Sequence, residues 1–505
     1  MSSKLKIKTV TIEIICILYI LLFVYAALSK LLDFENFQIQ IGQSPLLNPF
    51  AGEISWTIPI VEIILAILLG IPQFRKAGLF SSLALMVFFT FYIYAVLNFS
   101  SFVPCSCGGI LEKLGWKEHL IFNCFFIGLA IVAIWLLDEK EQRAKWRLFY
   151  IGMAILIICS TGAVAIKLLL NISERKQYNR NNFVRMFPPI AVKKEIIFDL
   201  KYNSYYFAGT GQQRVYLGNT TAPSLVLELD SILQKSTRHF ISFSGKKQKI
   251  DAVHLRVADT SFYLIDGSAP FIFRGSTKKW KAYLKMKGTP KFSIAEVIDS
   301  TTIVFRSLSD KSNENILGTV KFAAKSTTET KYHSHLLQKQ IDGVFDTDGS
   351  MQYSSTLKKF VYLYYYRNEF IVTDDRLNLI YRGNTIDTTS KAKLKIAWLK
   401  ERNERKLAAP AFMVNRTSSV YRNLLFVNSS LPGKYEPLVM WKDASIIDVY
   451  DIESKLYLMS FYIYKEKGKE LSTFMVTGKR LYALIGNSIV SYRLGSTLQK
   501  YLEKT

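Results

Sequence analysis

A chain of 505 residues is too long for one ordinary domain, and half of it is hydrophobic, with 21% charged residues. Residues 1–170 are mostly apolar runs with 13 Lys/Arg against 10 Asp/Glu, so nearly all of the net charge of +25 belongs to the remainder, with 52 against 30. A basic surface suits anionic lipid headgroups or an acidic partner. No RNP, zinc-finger or recognition-helix signature accompanies the charge, which sets nucleic acid aside as a partner.

Five stretches have the length and apolarity of a membrane-spanning helix: Val10 to Leu32, Ile54 to Ile71, Ala77 to Phe99, Leu120 to Leu137 and Leu148 to Leu170. The first is too long for a signal-peptide core and lacks a small-residue cleavage site. Lys4, Lys6 and Lys8 precede it, Arg75 and Lys76 follow the second stretch, and Lys140, Arg143, Lys145 and Arg147 follow the fourth. Cations collect in short cytoplasmic loops, so these three segments are expected inside and the loops 33–53 and 100–119 outside. Five crossings then place everything after Asn171 outside too. The expectation is a multi-pass protein of a bacterial inner membrane, with a cytoplasmic N-terminus and a periplasmic C-terminal domain. Its divisions are expected at residues 1–140, 141–195 and 196–505.

All five cysteines, Cys16, Cys105, Cys107, Cys124 and Cys159, fall in the first 170 residues. Cys16 and Cys159 lie inside apolar runs, where free cysteine packs as a small hydrophobe. Cys105 and Cys107 stand in the turn Pro104-Cys105-Ser106-Cys107-Gly108-Gly109, where proline stops the preceding helix and the glycines allow a tight backbone. Two thiols one residue apart close only a very small ring, and a strained disulfide is an exchangeable one. The pair reads as a redox couple that passes a disulfide on, with inert helix-end thiols as the alternative. A metal site needs more ligands than the one soft donor nearby, His119, supplies. Cys124 stands about one turn into the fourth stretch, a candidate third thiol.

Glu62 lies deep in the second stretch, where an ionisable group is a functional candidate; the other reading is a protonated acid hydrogen-bonded between helices. His119 and Asn123 are four apart and share a helix face. His119 is a candidate to move protons or favour a thiolate. Lys30, Trp56 and Asn98 read as interface residues, the lysine snorkelling outward.

The run Ser44-Pro45, Trp56, Pro59, Glu62, Phe91-Tyr92-Ile93-Tyr94, the cysteine turn, Gly115-Trp116 and His119-Leu120-Ile121-Phe122-Asn123 resembles the MauE branch of the DoxX-like membrane proteins, as found in Bacteroidetes, over residues 10 to 137. The resemblance implies a four-helix membrane bundle that handles thiols and disulfides outside the cytoplasm, in a family named for maturing methylamine dehydrogenase. Cys105, Cys107, His119 and Glu62, read from the turn and the polar groups around it, are the expected catalytic group. Further similarity to membrane proteins of the vitamin K epoxide reductase type implies a quinone as cofactor. This chain has Cys-x-Cys where that type has Cys-x-x-Cys, carries no second exposed pair, and adds a fifth helix and a large outer domain.

Residues 196 to 494 read as short strands rich in Tyr, Phe, Val and Ile, broken by Gly, Asn, Asp and Ser turns. Phe370-Ile371-Val372-Thr373-Asp374-Asp375-Arg376-Leu377 matches Phe474-Met475-Val476-Thr477-Gly478-Lys479-Arg480-Leu481, and Phe262-Tyr263-Leu264-Ile265-Asp266-Gly267 is a weaker relative. With strand pairs beginning near Tyr206, Ile303 and Leu425, the region divides into about six units of roughly 50 residues, a size that suits a six-bladed β-propeller; a pair of β-sandwiches is the alternative. His333-x-His335 reads as solvated surface, and the Tyr362 to Tyr366 cluster as packing between blades.

The expected whole is thus a membrane α-helical bundle followed by an all-β extracytoplasmic domain. Two functions fit it. One is a thiol–disulfide exchange or maturation factor acting on a periplasmic protein or small-thiol client. The other is a non-enzymatic, membrane-anchored binding or sensor protein whose β domain is the working part.

Overall fold

The computed structural model describes residues 2–44, 47, 50–99, 115–137, 144–177, 182–244, 253–288, 290–322, 328–399 and 404–503. Cys105, Cys107 and the whole of their turn lie outside the described residues. The chain forms two compact units, Met1–Tyr178 with Leu394–Ala411, and Asn179–Lys393 with Phe412–Thr505.

The first unit is helical: α1 (Ser2–Leu32), α2 (Phe34–Gln43), α3 (Ala51–Gly70), α4 (Arg75–Phe99), α5 (Trp116–Leu137) and α6 (Ala144–Gln177). Among the described residues four helical stretches are long and apolar enough to cross a membrane, Ile7–Leu32, Ala51–Gly70, Pro72–Asn98 and Trp116–Leu137. The expected fifth crossing falls in α6, whose apolar described stretch is the shorter Gly152–Leu168. Helix α1 packs on α3 and α5, α3 on α4, and α4 on both α5 and α6. In a bilayer, lipid tails are as apolar as the helices, so close packing rather than water exclusion holds such a bundle. Ala66, Ala130 and Ala133 provide that closeness, meeting Ile15, Tyr19, Phe23, Leu69 and Leu83 in one core. Tyr19 donates to the backbone carbonyl of Phe126 at 2.6 Å, tying α1 to α5. The outward faces keep Ile14, Leu21, Ile60, Ile67, Ile121 and Phe125 exposed, as lipid-facing surfaces must.

Two features of this unit depart from the reading of 33–53 as a simple outer loop. Residues 34–43 form α2, although Phe37, Ile39 and Ile41 alternate with glutamines as in a strand; all three are buried, with Asn36 and Gln40. A β-hairpin, Ile396–Leu399 paired antiparallel with Glu404–Leu407, comes from far along the chain and packs on α2. Lys406 Nζ donates to Asn36 Oδ1 at 3.3 Å. A Cβ on Gly42 would stand 2.1 Å from the carbonyl oxygen of Ala408, so only glycine admits this approach.

The second unit is all-β apart from two short helices. Its strands fall into consecutive four-stranded antiparallel units, two of them joined in a nine-stranded sheet by a parallel contact between Tyr205–Gly211 and His254–Ala258. The first strands of the units are Tyr205–Gly211, His254–Ala258, Ile294–Val297, Gly349–Ser354, Asn415–Tyr421 and Leu471–Thr477. Each neighbours the next, and the last neighbours the first, so they close a ring. Val192–Asp199, the first strand of the unit, completes the final sheet by pairing with Ser488–Leu494 near the chain's end. Completing the last sheet with a strand from the other end of the repeat fastens such a ring, and radial repetition leaves only short edges, the device of a β-propeller. The domain is therefore propeller-like, not a pair of sandwiches.

The repeat read from sequence does not mark equivalent strands. Phe370 lies on Glu369–Asp374, the third strand of its sheet, whereas Phe474 lies on Leu471–Thr477, a first strand. The likeness is that of two hairpins with a tight turn, since Asp374 accepts from the amides of Arg376 and Asn378 while Gly478 takes a positive φ of 57°. Tyr362 and Tyr364 are fully buried and Tyr366 nearly so, which makes that cluster core packing.

Candidate functional site

Helices α1 to α6 line a partly open cavity of about 320 Å³, all of whose lining residues belong to the first unit. Its walls are aliphatic and aromatic, among them Phe23, Phe37, Phe89, Tyr92, Trp116 and Phe122. Lys30, Glu62, His119 and Asn123 are among the polar residues that break this lining, with the hydroxyls of Ser29 and Thr57. Both sequence-expected residues of the described bundle, Glu62 and His119, thus share one cavity. Cys124 does not join them: it is exposed on α5, next to the cavity residue Asn123 but not in the lining. Cys16 is buried in the helix core and Cys159 is half-buried.

Glu62 sits past the midpoint of α3, on the face that also buries Ser55, Pro59, Ala66 and Leu69 at three- and four-residue spacing. Pro59 cannot donate a backbone bond to the preceding turn, one turn before Glu62. The Glu62 side chain is 1% exposed and its Oε1 accepts from Lys30 Nζ at 2.6 Å. Lys30 stands in the last turn of α1 and is 11% exposed. It does not snorkel outward as expected: its ammonium turns into the bundle, 5.8 Å from the centre of the Phe37 ring. Isolated charges are costly at membrane depth and persist there as pairs. The carboxylate of Glu62 gives Lys30 a partner that the sequence, with the two 32 positions apart, does not advertise. The one signal available is a cation in the last turn of α1 and an acid near the middle of α3.

His119, half-buried in the first turns of α5, donates its backbone amide to Gly115 at 3.0 Å, and Asn123 lies one turn further in, 8% exposed. Tyr92 on α4 donates to Ser44 Oγ, just beyond α2, at 2.9 Å. Helix α2 contributes Phe37 and Ile41 to the cavity, so the segment read as a loop is one wall of the site. Trp56, exposed as expected at an interface, packs its ring 4.3 Å from that of Phe34.

In the second unit the densest polar cluster surrounds Arg185, which is fully buried. It donates to Asp448, Glu436, the Leu431 carbonyl and Ser429 at 2.6 to 3.0 Å. Glu436 in turn accepts from Trp441 Nε1 at 2.8 Å. Every guanidinium nitrogen is used, so the cluster is a fastening of segment 182–187 to the strands beside it rather than an open site. His333 and His335 stand 6.3 Å apart by ring centres, and no third metal-ligating side chain joins them among the described residues.

Apolar spanning helices around a lined cavity, followed by a propeller-like domain, define a multi-pass protein of the lipid bilayer. Within it, residues 8–136 match the family model described as Methylamine utilisation protein MauE. Over α1 to α5 the chain is therefore similar to MauE, as the resemblance read from its motifs implied, and a β domain follows. No curated protein matches the chain. Among solved structures it is similar to an exported protein of Bacteroides fragilis (8% identity, 63% of this chain and 95% of that one, TM-score 0.36). It is also similar to the Dos1 propeller (11%, 63% and 94%, TM-score 0.32) and to Kuenenia stuttgartiensis hydrazine synthase (9%, 60% and 80%, TM-score 0.35).

Proposed function

We propose that this protein is a membrane thiol–disulfide exchange or maturation factor, related to the methylamine utilisation proteins, in which Cys105 and Cys107 act on a periplasmic protein or small-thiol client. One observation carries the reading: the cysteine pair belongs to the connection between α4 and α5, the helices that contribute Tyr92 on one side and Trp116 and His119 on the other to the cavity. The chemistry is that of ordinary exchange. A client thiolate attacks Cys105 Sγ of the oxidised pair, forming a mixed disulfide and releasing Cys107 as a thiolate. The client's second thiol then closes the client disulfide and leaves two reduced cysteines. Two electrons and two protons enter the pair, and a bilayer quinone that becomes a hydroquinone takes them away. The N-terminus lies in the cytoplasm and the β domain in the periplasm of an inner membrane, the side on which disulfides persist. That domain has no cysteine of its own, so the client is a separate molecule.

Differential alkylation of Cys105 and Cys107 in cells tests this directly. The pair is expected to shift toward the reduced form when quinone is depleted, and Cys107→Ser is expected to trap a mixed disulfide on Cys105. Two thiols that stay reduced under every condition would overturn the reading.

A further inference from the structure

The ion pair at the head of the cavity uses only half of the carboxylate. Glu62 Oε1 takes the Lys30 ammonium, whereas Oε2 is buried with no hydrogen-bond partner among the described residues. A buried acceptor left without a donor costs the full desolvation of that atom, and Glu62 stands in the lining of a space of about 320 Å³. The site is therefore short of one hydrogen-bond donor and has room for the molecule that brings it.

The remaining walls restrict that molecule. An anionic head would face the carboxylate, and a cationic one would compete with Lys30 for it. A ketone or an ether has no hydrogen to give Oε2. A hydroxyl satisfies the oxygen and leaves the pair neutral. Phe23, Phe37, Phe89, Phe122 and Trp116 around the space favour a flat ring, through edge and face contacts. An apolar cavity of about 150 Å³ holds one benzene, so this one takes a fused pair of rings. The helices that form it present exposed Ile60, Ile67 and Ile121 outward, so a ligand dissolved in the bilayer reaches them without crossing water.

We propose that the cavity binds a bilayer-soluble phenol, a ring-headed lipid whose hydroxyl donates to Glu62 Oε2 while Lys30 holds Oε1. Ligand recognition then falls on α1, α3 and the wall supplied by α2. If the exchange reading also holds, the cavity prefers the reduced, hydroxyl-bearing form of the quinone over its ketone form; that last step alone rests on the reading above.

The test uses the full chain in nanodiscs under anaerobic conditions and two probes, 2-methyl-1-naphthol and its methyl ether, with naphthol fluorescence as the readout and the ether as competitor. The naphthol is expected to bind about tenfold more tightly, as a hydrogen bond to a charged group allows. The paired change Lys30→Met with Glu62→Leu, which leaves no unpaired charge, is expected to abolish the preference. Ala26→Phe, which places a ring in the cavity from α1 and keeps both charged residues, is expected to abolish binding of both probes while the melting temperature holds. Equal affinities in the unaltered protein, a preference that survives the paired change, or no binding at all would each overturn the proposal. The alkylation experiment is independent of it: cysteines that never cycle in a chain that binds naphthol would sink the exchange reading and leave the phenol site standing, and the reverse result would do the opposite.

Discussion

At the scale of single residues, each unit contains a buried group of paired charges. Lys30 and Glu62 neutralise each other inside the bundle, and removing one partner of such a pair strands the other. Lys30→Met is expected to lower stability by about 3 kcal/mol, whereas Lys30→Met with Glu62→Leu is expected to recover most of that loss, because an apolar pair of similar volume replaces a desolvated ionic one. Thermal unfolding of the detergent-solubilised chain checks this: a double variant as unstable as the single would show that the charges contribute more than mutual compensation. Arg185 is the counterpart in the β domain, with Asp448 and Glu436 as its carboxylates. Arg185→Met leaves both buried acids without their cation and is expected to cost about 3 to 5 kcal/mol. The loss should appear as earlier proteolysis of segment 182–187, where lysine and methionine variants can be compared by mass spectrometry.

At the scale of elements, the unexpected pieces are α2 and the hairpin on it. Alternating Phe37, Ile39 and Ile41 suggested nothing helical, yet burial against α3 and α1 decides the matter, because tertiary contacts override short-range pattern. The hairpin of residues 396–407 then covers α2 through the close approach at Gly42. Gly42→Ala puts a methyl group against the Ala408 carbonyl, and either α2 or the hairpin must give way. Tryptic cleavage after Arg405 or Lys406 is expected to accelerate at least about threefold, as local opening becomes easier. Since α2 carries Phe37 and Ile41 of the cavity wall, the same change is expected to weaken naphthol binding; unaltered cleavage would show that the hairpin is only loosely applied.

At the scale of the whole molecule, the two units answer to different solvents and fail under different conditions. Burial lowers the imidazole of His254 below the usual histidine range, with Arg256 adding to the effect, and burial does the same to His333, with His335 and Lys331 adding to it. A histidine held down in the folded state binds its proton first in the unfolded chain, so stability rises with pH in the window between the two values and is lost on acidification below about 6.5. The β domain in the full chain is expected to melt at lower temperature at pH 5.5 than at pH 7.5, and His254→Gln is expected to shrink the difference. A melting temperature independent of pH would show that other groups compensate.

Much of this architecture was legible in the residues themselves. Apolar runs fix where helices cross, because a bilayer leaves the backbone no other way to satisfy its hydrogen bonds. The turn-punctuated aromatic strands fix an all-β domain for a similar local reason, the fit of branched and aromatic side chains to a pleated sheet. Glu62, His119 and Asn123 stood out because polar groups are rare in such helices. Their company did not: the Lys30 partner, the α2 wall and the Tyr92 to Ser44 bond join positions far apart in the chain. The match between Phe370 and Phe474 failed for the same cause, since a hairpin sequence records its turn and its alternation but not which place in a sheet it fills. Local chemistry chose the elements; only packing chose their partners, because the energy of a buried pair belongs to neither residue alone.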